Sequence, residues 1–524
     1  MSVRKYPIGI QDFAGIREDN CIYVDKTTQI HRLIAGSGKT FFLSRPRRFG
    51  KSLLCSTLAA VFEGRRELFG GLALEQLDWD WKKYPVIRLD LNPGNFGEGV
   101  GTLKLFLHNL LQNQAAAAGL ELRGSLAPDQ FGNLIRDLRQ KNGERVAVII
   151  DEYDKPLLTT IQDKDIHEAI RNELKAFYGV LKSSDEFLKF VFLTGVTKFA
   201  QVSVFSELNN LMDLTLDPRY ADLCGITQEE LEGVFAPDIE EAARHRGCGR
   251  EDYLGELKRF YNGYRFSEKP LTVYNPFGLL KHFESGGRFQ PYWFETGTPA
   301  FLIRLIENQH IDLTNLENLK VAYNDFRRYD AENLSAVAVL YQTGYLTVSG
   351  YDERRQQYTL DYPNDEVRAS FADALLGTYI KAPEGEKETL TVKLSEAFEE
   401  GDIDGVIGAL IPFLASIPYD IQIKQEKYYQ TIIHLIFRML GLRDRSEVRI
   451  GAGRIDTLVE TEERVYCFEF KLGEGGAERL AEEALEQIGS KEYLLPWEGS
   501  GKKLYKVGVA FDYTKRNIGA WRWA

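Results

Sequence analysis

Long apolar runs are missing from this chain. No stretch approaches the ~20 residues a membrane-crossing helix needs, and the opening Met-Ser-Val-Arg-Lys-Tyr-Pro has no apolar h-region of a secretory signal. A soluble, cytoplasmic protein is the expectation, with no membrane partner. Cysteine is sparse too. Cys21, Cys55, Cys224, Cys248 and Cys467 are scattered, odd in number and free of C-x-x-C spacing, which argues against both a zinc site and a disulfide framework. Basic charge is not in excess: 65 Lys and Arg stand against 77 Asp and Glu, a net charge of −12. The protein is therefore not coated in basic surface, and any contact with nucleic acid must be local. What is present is 524 residues, 44% of them hydrophobic, enough for about three ordinary domains with substantial cores.

The most informative stretch is Lys39-Thr40-Phe41-Phe42-Leu43-Ser44-Arg45-Pro46-Arg47-Arg48-Phe49-Gly50-Lys51-Ser52-Leu53-Leu54. It reads as a buried strand, a basic turn, and a helix starting at Gly-Lys-Ser. This is the order of a P-loop. Backbone N–H groups at the helix start would receive phosphate oxygens, Lys51 would reach the terminal phosphates, and the Ser52 hydroxyl would ligate Mg²⁺. Arg47, Arg48, Phe49, Gly50 and Leu53 complete the nucleotide-binding stretch. One position departs from G-x-x-x-x-G-K-[ST], because Arg45 stands where the first Gly belongs. A second Gly-Lys-Thr, at Gly38-Lys39-Thr40, precedes a strand and reads as a turn. Farther on, Arg145-Val146-Ala147-Val148-Ile149-Ile150-Asp151-Glu152 is an apolar strand ending in two acids, the Walker B arrangement. Asp151 would join the Mg²⁺ shell and Glu152 would orient or deprotonate the attacking water.

Strands at Tyr84–Leu91 and Phe187–Gly195 alternate with helices over Leu103–Leu122, Phe131–Lys141 and Asp163–Ser183. That alternation predicts a mostly parallel sheet covered on both faces. Thr194 ends its strand where it either senses the terminal phosphate or satisfies a turn. Phe13 and Tyr23 are candidates for packing on the adenine or in the core, and Arg219 and Arg265 are candidate arginine fingers. Tyr23-Val24-Asp25-Lys26-Thr27, Arg45-Pro46-Arg47-Arg48-Phe49-Gly50-Lys51-Ser52, Asp151-Glu152-Tyr153-Asp154-Lys155-Pro156, Leu193-Thr194-Gly195-Val196 and Tyr261-Asn262-Gly263-Tyr264-Arg265-Phe266 together resemble the AAA-ATPase-like family over roughly the first 280 residues. The resemblance accounts for Arg45, since the family's loop reads Arg-Pro-Arg-Arg-Phe-Gly-Lys. It implies a P-loop fold that binds ATP and Mg²⁺.

Downstream, Phe301–Ile306 and Ala336–Tyr345 look helical, and Tyr345–Val348 pairs with Gln357–Pro363. A helix followed by a hairpin ends a winged helix; the mixed charge of Tyr351–Arg355 favours a packing module over a DNA reader. Lys381–Leu390 is the expected linker, and Gly401-Asp402 an expected helix break. From Glu426 the pattern is helix, strand (Glu447–Ile450), strand (Arg454–Val459), strand (Val465–Lys471), helix (Ala477–Gly489) and strand (Leu504–Phe511). A hairpin would bring Asp456 beside Glu469, and strand alternation puts Glu469 and Lys471 on one face with Phe468 and Phe470 on the other. Two carboxylates can hold Mg²⁺ against a phosphodiester, and Lys471 can act on the attacking water. This element order with Asp then Glu-x-Lys resembles the PD-(D/E)XK nuclease superfamily. Glu426 and Gln487 match supporting positions of that superfamily, and Arg449 either binds DNA or neutralises an acid.

The expectation is an α/β protein with a P-loop NTPase parallel-sheet domain over residues 1–270, a mainly helical, winged-helix-like middle region over 271–400, and an αβββαβ nuclease-like domain over 401–524. Its expected function is ATP binding and hydrolysis coupled to Mg²⁺-dependent cleavage of nucleic acid, DNA being favoured over RNA. Glu152, Asp456, Glu469 and Lys471 would be catalytic, and Ser52, Asp151, Asp456 and Glu469 would hold metal. A homo-oligomer would allow a neighbour's arginine to complete the ATP site. The alternative is a nucleotide-dependent switch or scaffold whose nuclease-like domain is silent and grips nucleic acid or protein.

Overall fold

The computed structural model describes residues 4–198, 210–294, 316–322, 335–380, 384–417, 426–440, 443–450 and 453–524, with isolated positions between 302 and 309 and without the side chains of 378–388, 426–428 and 443–454. The helix expected at Phe301–Ile306 lies largely outside the described residues. The chain divides into two compact units, 1–295 with 320–364, and 296–319 with 365–524. The stretch 271–400 is thereby shared between the two units. Among the described residues, no helix is long and apolar enough to cross a membrane.

In the first unit β1 (Thr40–Ser44), β2 (Val86–Asp90), β3 (Val146–Asp151), β4 (Leu188–Gly195) and β5 (Leu211–Asp213) form one sheet in the order β5-β1-β4-β3-β2, every pair parallel. All residues of β1 and β3 are buried, which explains why they read as unbroken apolar runs: a parallel strand is covered on both faces. Helices Val100–Ala117, Ala127–Asn142 and Lys164–Ser183 press Leu107, Phe131, Leu174 and Phe177 against Val148, Ile150 and Leu193. Phe190 meets both Phe41 and Phe62 of the Lys51–Phe62 helix, the Phe62 and Phe190 rings being 4.7 Å apart. Parallel strands share one carboxyl edge, so Ser44 lies beside Gly195 and Asp90 beside Asp151. Ligands of open α/β sheets bind along that edge.

The loop leaving β1 is fixed by residues far downstream. Arg45 is fully buried and donates to the carbonyls of Ser44, Thr215 and Tyr220 at 2.9, 2.9 and 3.0 Å. Its guanidinium lies 4.2 Å from the Phe266 ring centre. Phe49 packs edge-on against Tyr264 and Phe266, and Arg48 covers Phe277 at 3.8 Å. The Trp293 indole donates to the Arg47 carbonyl. A three-stranded sheet, in the order β6 (Leu319–Ala322), β8 (Gln357–Asp361) and β7 (Thr347–Asp352), has β6 before and β7 and β8 after the Ala336–Thr343 helix. The antiparallel β7–β8 hairpin is the one expected. Its neighbouring Gly344 sits against Pro46, and Gln342 accepts from the Lys198 amide, so this helix and hairpin serve as packing for the loop.

In the second unit β9 (Arg443–Ile450), β10 (Gly453–Glu460), β11 (Arg464–Gly473), β12 (Lys503–Asp512) and β13 (Asn517–Trp523) form a sheet in sequence order. β9, β10 and β11 are antiparallel neighbours; β12 runs parallel to β11 after the Ala477–Ser490 crossover helix. With the Glu426–Met439 helix in front, this is the expected αβββαβ order, and β13 adds an antiparallel edge. The expected linker is different: Glu384 begins a helix that runs to Glu400, residues 381–383 lying outside the described set. Glu, Lys and Leu are strong helix formers and outweigh the single Gly385. Gly401 is left-handed and Asp402 caps the next helix, Ile403–Ser416, so the expected break is real.

Gly344 has φ +90°, and a Cβ there would lie 2.8 Å from Pro46 Cβ. Gly344→Ala should lower stability by about 1–3 kcal/mol through left-handed strain and overpacking, read as a shifted urea midpoint. It should also weaken nucleotide binding, because Pro46 carries the strain into the loop. An unchanged nucleotide titration would disprove the link between hairpin and loop.

Candidate functional site

At the first site the loop turns through two left-handed residues, Arg48 (φ 63°) and Gly50 (φ 89°), and the helix begins as the Leu54 amide donates to the Gly50 carbonyl. Lys51 is almost fully buried; its Nζ lies 3.2 Å from Glu152 Oε1 and 3.3 Å from the Pro46 carbonyl. The expected phosphate lysine and the expected catalytic base therefore pair with each other. Glu152 has φ 51°, a strained conformation for a residue with a side chain, and its amide donates to Asp151 Oδ1. Such strain costs about 1–3 kcal/mol and collects at functional sites. Burial, then the Glu152 charge, pushes the Asp151 carboxyl up to about 6, while the Ser52 hydroxyl and Lys51 pull it down. A buried carboxylate held near a hydroxyl but short of positive charge fits a divalent cation, with Ser52 and Asp151 as its holders.

The remaining expected residues separate into groups. Arg47 and Arg48 are exposed, Phe49 is buried in the aromatic cage, and Gly50 and Leu53 line an apolar recess beside the helix start. That recess is completed by Tyr23, Leu223, Cys224 and Ile226. Phe13 instead belongs to the core against Tyr23 and Phe69. The downstream wall, about 170 residues from the loop in sequence, was not foreseen; it carries no motif. Thr194 is buried and its hydroxyl donates to the Leu43 carbonyl at 2.8 Å, so it ties β4 to β1 beneath the loop. Asp154 was also missed. Fully buried, it accepts from the Val196 amide and from both the amide and hydroxyl of Thr197, which locks the acid-bearing turn to the end of β4. Gly195 must lack a side chain there, since a Cβ would come within 2.3 Å of Asp154 Oδ1.

Neither arginine-finger candidate reaches this site. Arg219 is exposed and bidentate on Asp217, its Nη2 2.6 Å from Oδ2. Arg265 spends its guanidinium on the carbonyls of Ser267, Glu268 and Ser349.

At the second site the hairpin does bring Asp456 beside Glu469. Asp456 Oδ2 accepts from the Phe470 amide at 2.9 Å. Glu469 is 3% exposed. Its Oε1 lies 3.6 Å from Lys471 Nζ and accepts from Gln487 Nε2, while Gln487 Oε1 accepts from Lys471 at 2.8 Å. Glu469 and Lys471 thus share a face, and Phe468 and Phe470 point away towards Phe437 and Phe511. Gly508, opposite Glu469 in the β11–β12 register, makes room: a Cβ there would lie 2.4 Å from the Ala481 carbonyl. The crossover helix can therefore lie close enough for Gln487 to reach the acid.

Glu469 Oε2 is buried with no hydrogen-bond partner among the described residues. Burial and the Asp456 charge push the Glu469 carboxyl up to about 8, against the pull of Lys471. An orphaned oxygen facing a second carboxylate is a good fit to a divalent cation. Among the described residues no cluster of three or more metal-ligating side chains occurs; the side chains of Glu426 and Arg449 lie outside the described residues.

Comparison with known proteins agrees with both halves. Residues 7–205 match the AAA-ATPase-like family model, described as "Predicted AAA-ATPase", and residues 424–521 match a model of the PD-(D/E)XK nuclease superfamily. Over 532 aligned residues the chain is 38% identical to the "Uncharacterized protein in vnfD 5'region" of Azotobacter chroococcum mcd 1, covering 99% of this chain and 98% of that one.

With its carboxyl raised to about 8, Glu469 holds a proton in the folded, metal-free protein that it gives up near 4.5 when unfolded. Its contribution to stability is therefore full below about 4.5 and is lost as pH rises through 8. Glu469→Gln, which cannot ionise, should raise Tm relative to wild type in EDTA at pH 8.5 and change it much less at pH 5. Calorimetry of Mg²⁺ binding at pH 7 in buffers of different ionisation enthalpy should register proton release of up to about one per ion in wild type. Release that persists in Glu469→Gln would assign the proton elsewhere.

Proposed function

We propose, for a chain that belongs to the AAA-ATPase-like family and carries a PD-(D/E)XK nuclease superfamily domain, that it is a cytoplasmic, nucleotide-controlled nuclease. The first site binds and hydrolyses ATP with Mg²⁺, and the second cuts nucleic-acid phosphodiesters, DNA in preference to RNA. The observation that carries the nuclease half is the orphaned Glu469 Oε2, buried opposite Asp456 and beside Lys471. Such a carboxylate is costly unless a cation or proton meets it.

At the first site Lys51 takes up the terminal phosphates, Ser52 and Asp151 hold Mg²⁺, and Glu152 receives the proton of the attacking water. Arg47 is exposed on the loop and adds positive charge there. The base lies in the apolar recess behind Leu53. Water attacks the γ-phosphorus, and the bond to the bridging oxygen breaks to leave ADP and phosphate. At the second site Asp456 and Glu469 hold Mg²⁺, which supplies Lewis-acid polarisation of the phosphate when bound. Lys471 positions the water and balances charge on the phosphorane-like transition state, and Gln487 fixes the orientation of both Glu469 and Lys471 through one amide. Water adds to phosphorus as one ester oxygen leaves, giving a phosphate end and a hydroxyl end.

Cleavage of labelled single- and double-stranded DNA and RNA tests the second site. Metal-dependent cutting should be lost in Lys471→Ala and respond to ATP in wild type but not in Lys51→Ala. Equal rates with ATP, with ADP and in Lys51→Ala would remove the nucleotide control while leaving the nuclease. No cutting under any condition, with ATP hydrolysis intact, would favour a switch or scaffold. Lys51→Ala should weaken ATP binding by roughly 10- to 150-fold, the loss expected of a charged hydrogen bond worth ~1.5–3 kcal/mol. Glu152→Gln should retain ATP and abolish turnover; continued hydrolysis in that variant would remove Glu152 as the base.

A further inference from the structure

One amide in the second site serves two of its functional side chains. Gln487 Nε2 donates to Glu469 Oε1, and Gln487 Oε1 accepts from Lys471 Nζ at 2.8 Å. A primary amide nitrogen carries two hydrogens. The other is directed to the Tyr493 hydroxyl, which lies 3.4 Å from Nε2. Tyr493 is 3% exposed, and burying a hydroxyl is costly unless it is hydrogen-bonded. Phenylalanine would fill the same volume without that cost. The core therefore does not require the hydroxyl, and among the described residues its hydrogen-bond partner is Gln487.

The backbone turns Tyr493 back towards this amide. Where the Ala477–Ser490 helix ends, the Tyr493 amide donates to the Ile488 carbonyl at 3.2 Å and the Glu492 amide donates to the Gly489 carbonyl at 3.1 Å. These are the two bonds of a Schellman closure. Its left-handed position, where glycine is usual, is taken by Glu492 with φ 49°. The closure is thus made against a steric cost, and residues held in that way collect at functional sites. Ile488 and Tyr493 then pack in one core cluster with Leu458 and Cys467, so the ring is fixed by apolar neighbours while its hydroxyl meets the polar network above them.

We propose that Tyr493 is a positioning residue of the second site, holding the Gln487 amide in the orientation that serves Glu469 and Lys471 and acting on the reaction only through that amide. The bond is long, so its effect lies in removing freedom from the amide more than in energy. Without the hydroxyl, the terminal torsion of Gln487 returns to its broad range, and both Glu469 and Lys471 lose a fixed partner. The inference rests on the reading of the second site as a nuclease centre, but its first test requires neither metal nor substrate.

In full-length, metal-free protein with isotope-labelled glutamine side chains, the Gln487 amide pair is assigned in NMR spectra by its absence from Gln487→Ala. Tyr493→Phe should shift that pair and speed its hydrogen exchange by about 2- to 12-fold, the range a neutral hydrogen bond commands. In cleavage of a labelled strand with Mg²⁺, Tyr493→Phe should lower kcat by about the same factor and leave KM nearly unchanged. Added to Gln487→Ala, the same substitution should cost nothing further, because the group it acts through is gone. A tyrosine that serves only the core would lower the urea midpoint and leave the Gln487 signals and kcat in place; that result would overturn the proposal. Equal losses of kcat in the wild-type and Gln487→Ala backgrounds would overturn it too. Shifted and faster-exchanging Gln487 signals with no cleavage by any variant would keep Tyr493 as the holder of the amide and discard the nuclease reading.

Discussion

The fold of the first unit depends on one buried cation. Arg45 stands where the P-loop pattern has glycine, with no exposed surface, and a charge in that position is costly unless hydrogen bonds and a ring face take it up. Carbonyls at positions 44, 215 and 220 accept from the two terminal nitrogens, and the Phe266 ring covers the guanidinium face. The loop geometry that glycine would permit through backbone freedom is here imposed by a side chain. A consequence is that the phosphate loop cannot be considered without residues 215–220, 264–277, 293 and 344. Those segments hold Arg45, Phe49, Arg48, Arg47 and Pro46 in turn, so the motif and its cage form a single packing problem.

The second unit solves a related problem by omission. Lys471 and Gln487 must both reach Glu469, yet Gln487 sits on a helix crossing the sheet. Gly508 removes the side chain that would hold that helix away, and Ala481 and Ala484 are small enough to let the backbones approach. The glycine lies on the strand next to the acid, in register with it. A bulkier residue at 508 would act on the site without touching any of its functional groups.

Local periodicity carried most of this into the sequence. β1, β3 and β4 are continuous apolar runs because they are central and parallel, and Glu469-x-Lys471 declares its shared face through strand alternation. The paired acids at Asp151 and Glu152 were legible for the same reason, since a strand end fixes their place. What could not be read came from long-range packing. Leu223, Cys224 and Ile226 reach the recess beside Leu53 only after the chain has folded back, and nothing in their local pattern marks them. Arg265 and Arg219 illustrate the opposite error: an arginine near a motif is satisfied by carbonyls or a neighbouring aspartate, which only the fold reveals. Thr194 has the expected position at a strand end, but its hydroxyl meets the Leu43 carbonyl instead of facing the loop.

The two sites share an electrostatic arrangement despite unrelated folds. Each has two neighbouring acids, at a strand end in the first and mid-strand in the second, one of them with a raised pKa, and a lysine paired to the second or the same acid: Lys51 with Glu152 at 3.2 Å, Lys471 with Glu469 at 3.6 Å. On the proposed function, the lysine at each site exchanges its acid for a phosphate oxygen before it acts. The acid it leaves is then met by a cation or by a proton, because an isolated buried carboxylate is far costlier than a paired one. On that reading, phosphate uptake by the lysine and charge uptake by the acids are coupled at each site. Burial and close neighbouring of the acids would serve that coupling: their cost without a partner ties the lysine's release to a cation or proton being held. Exposed acids of the same spacing would let the lysine exchange freely and would lose that condition.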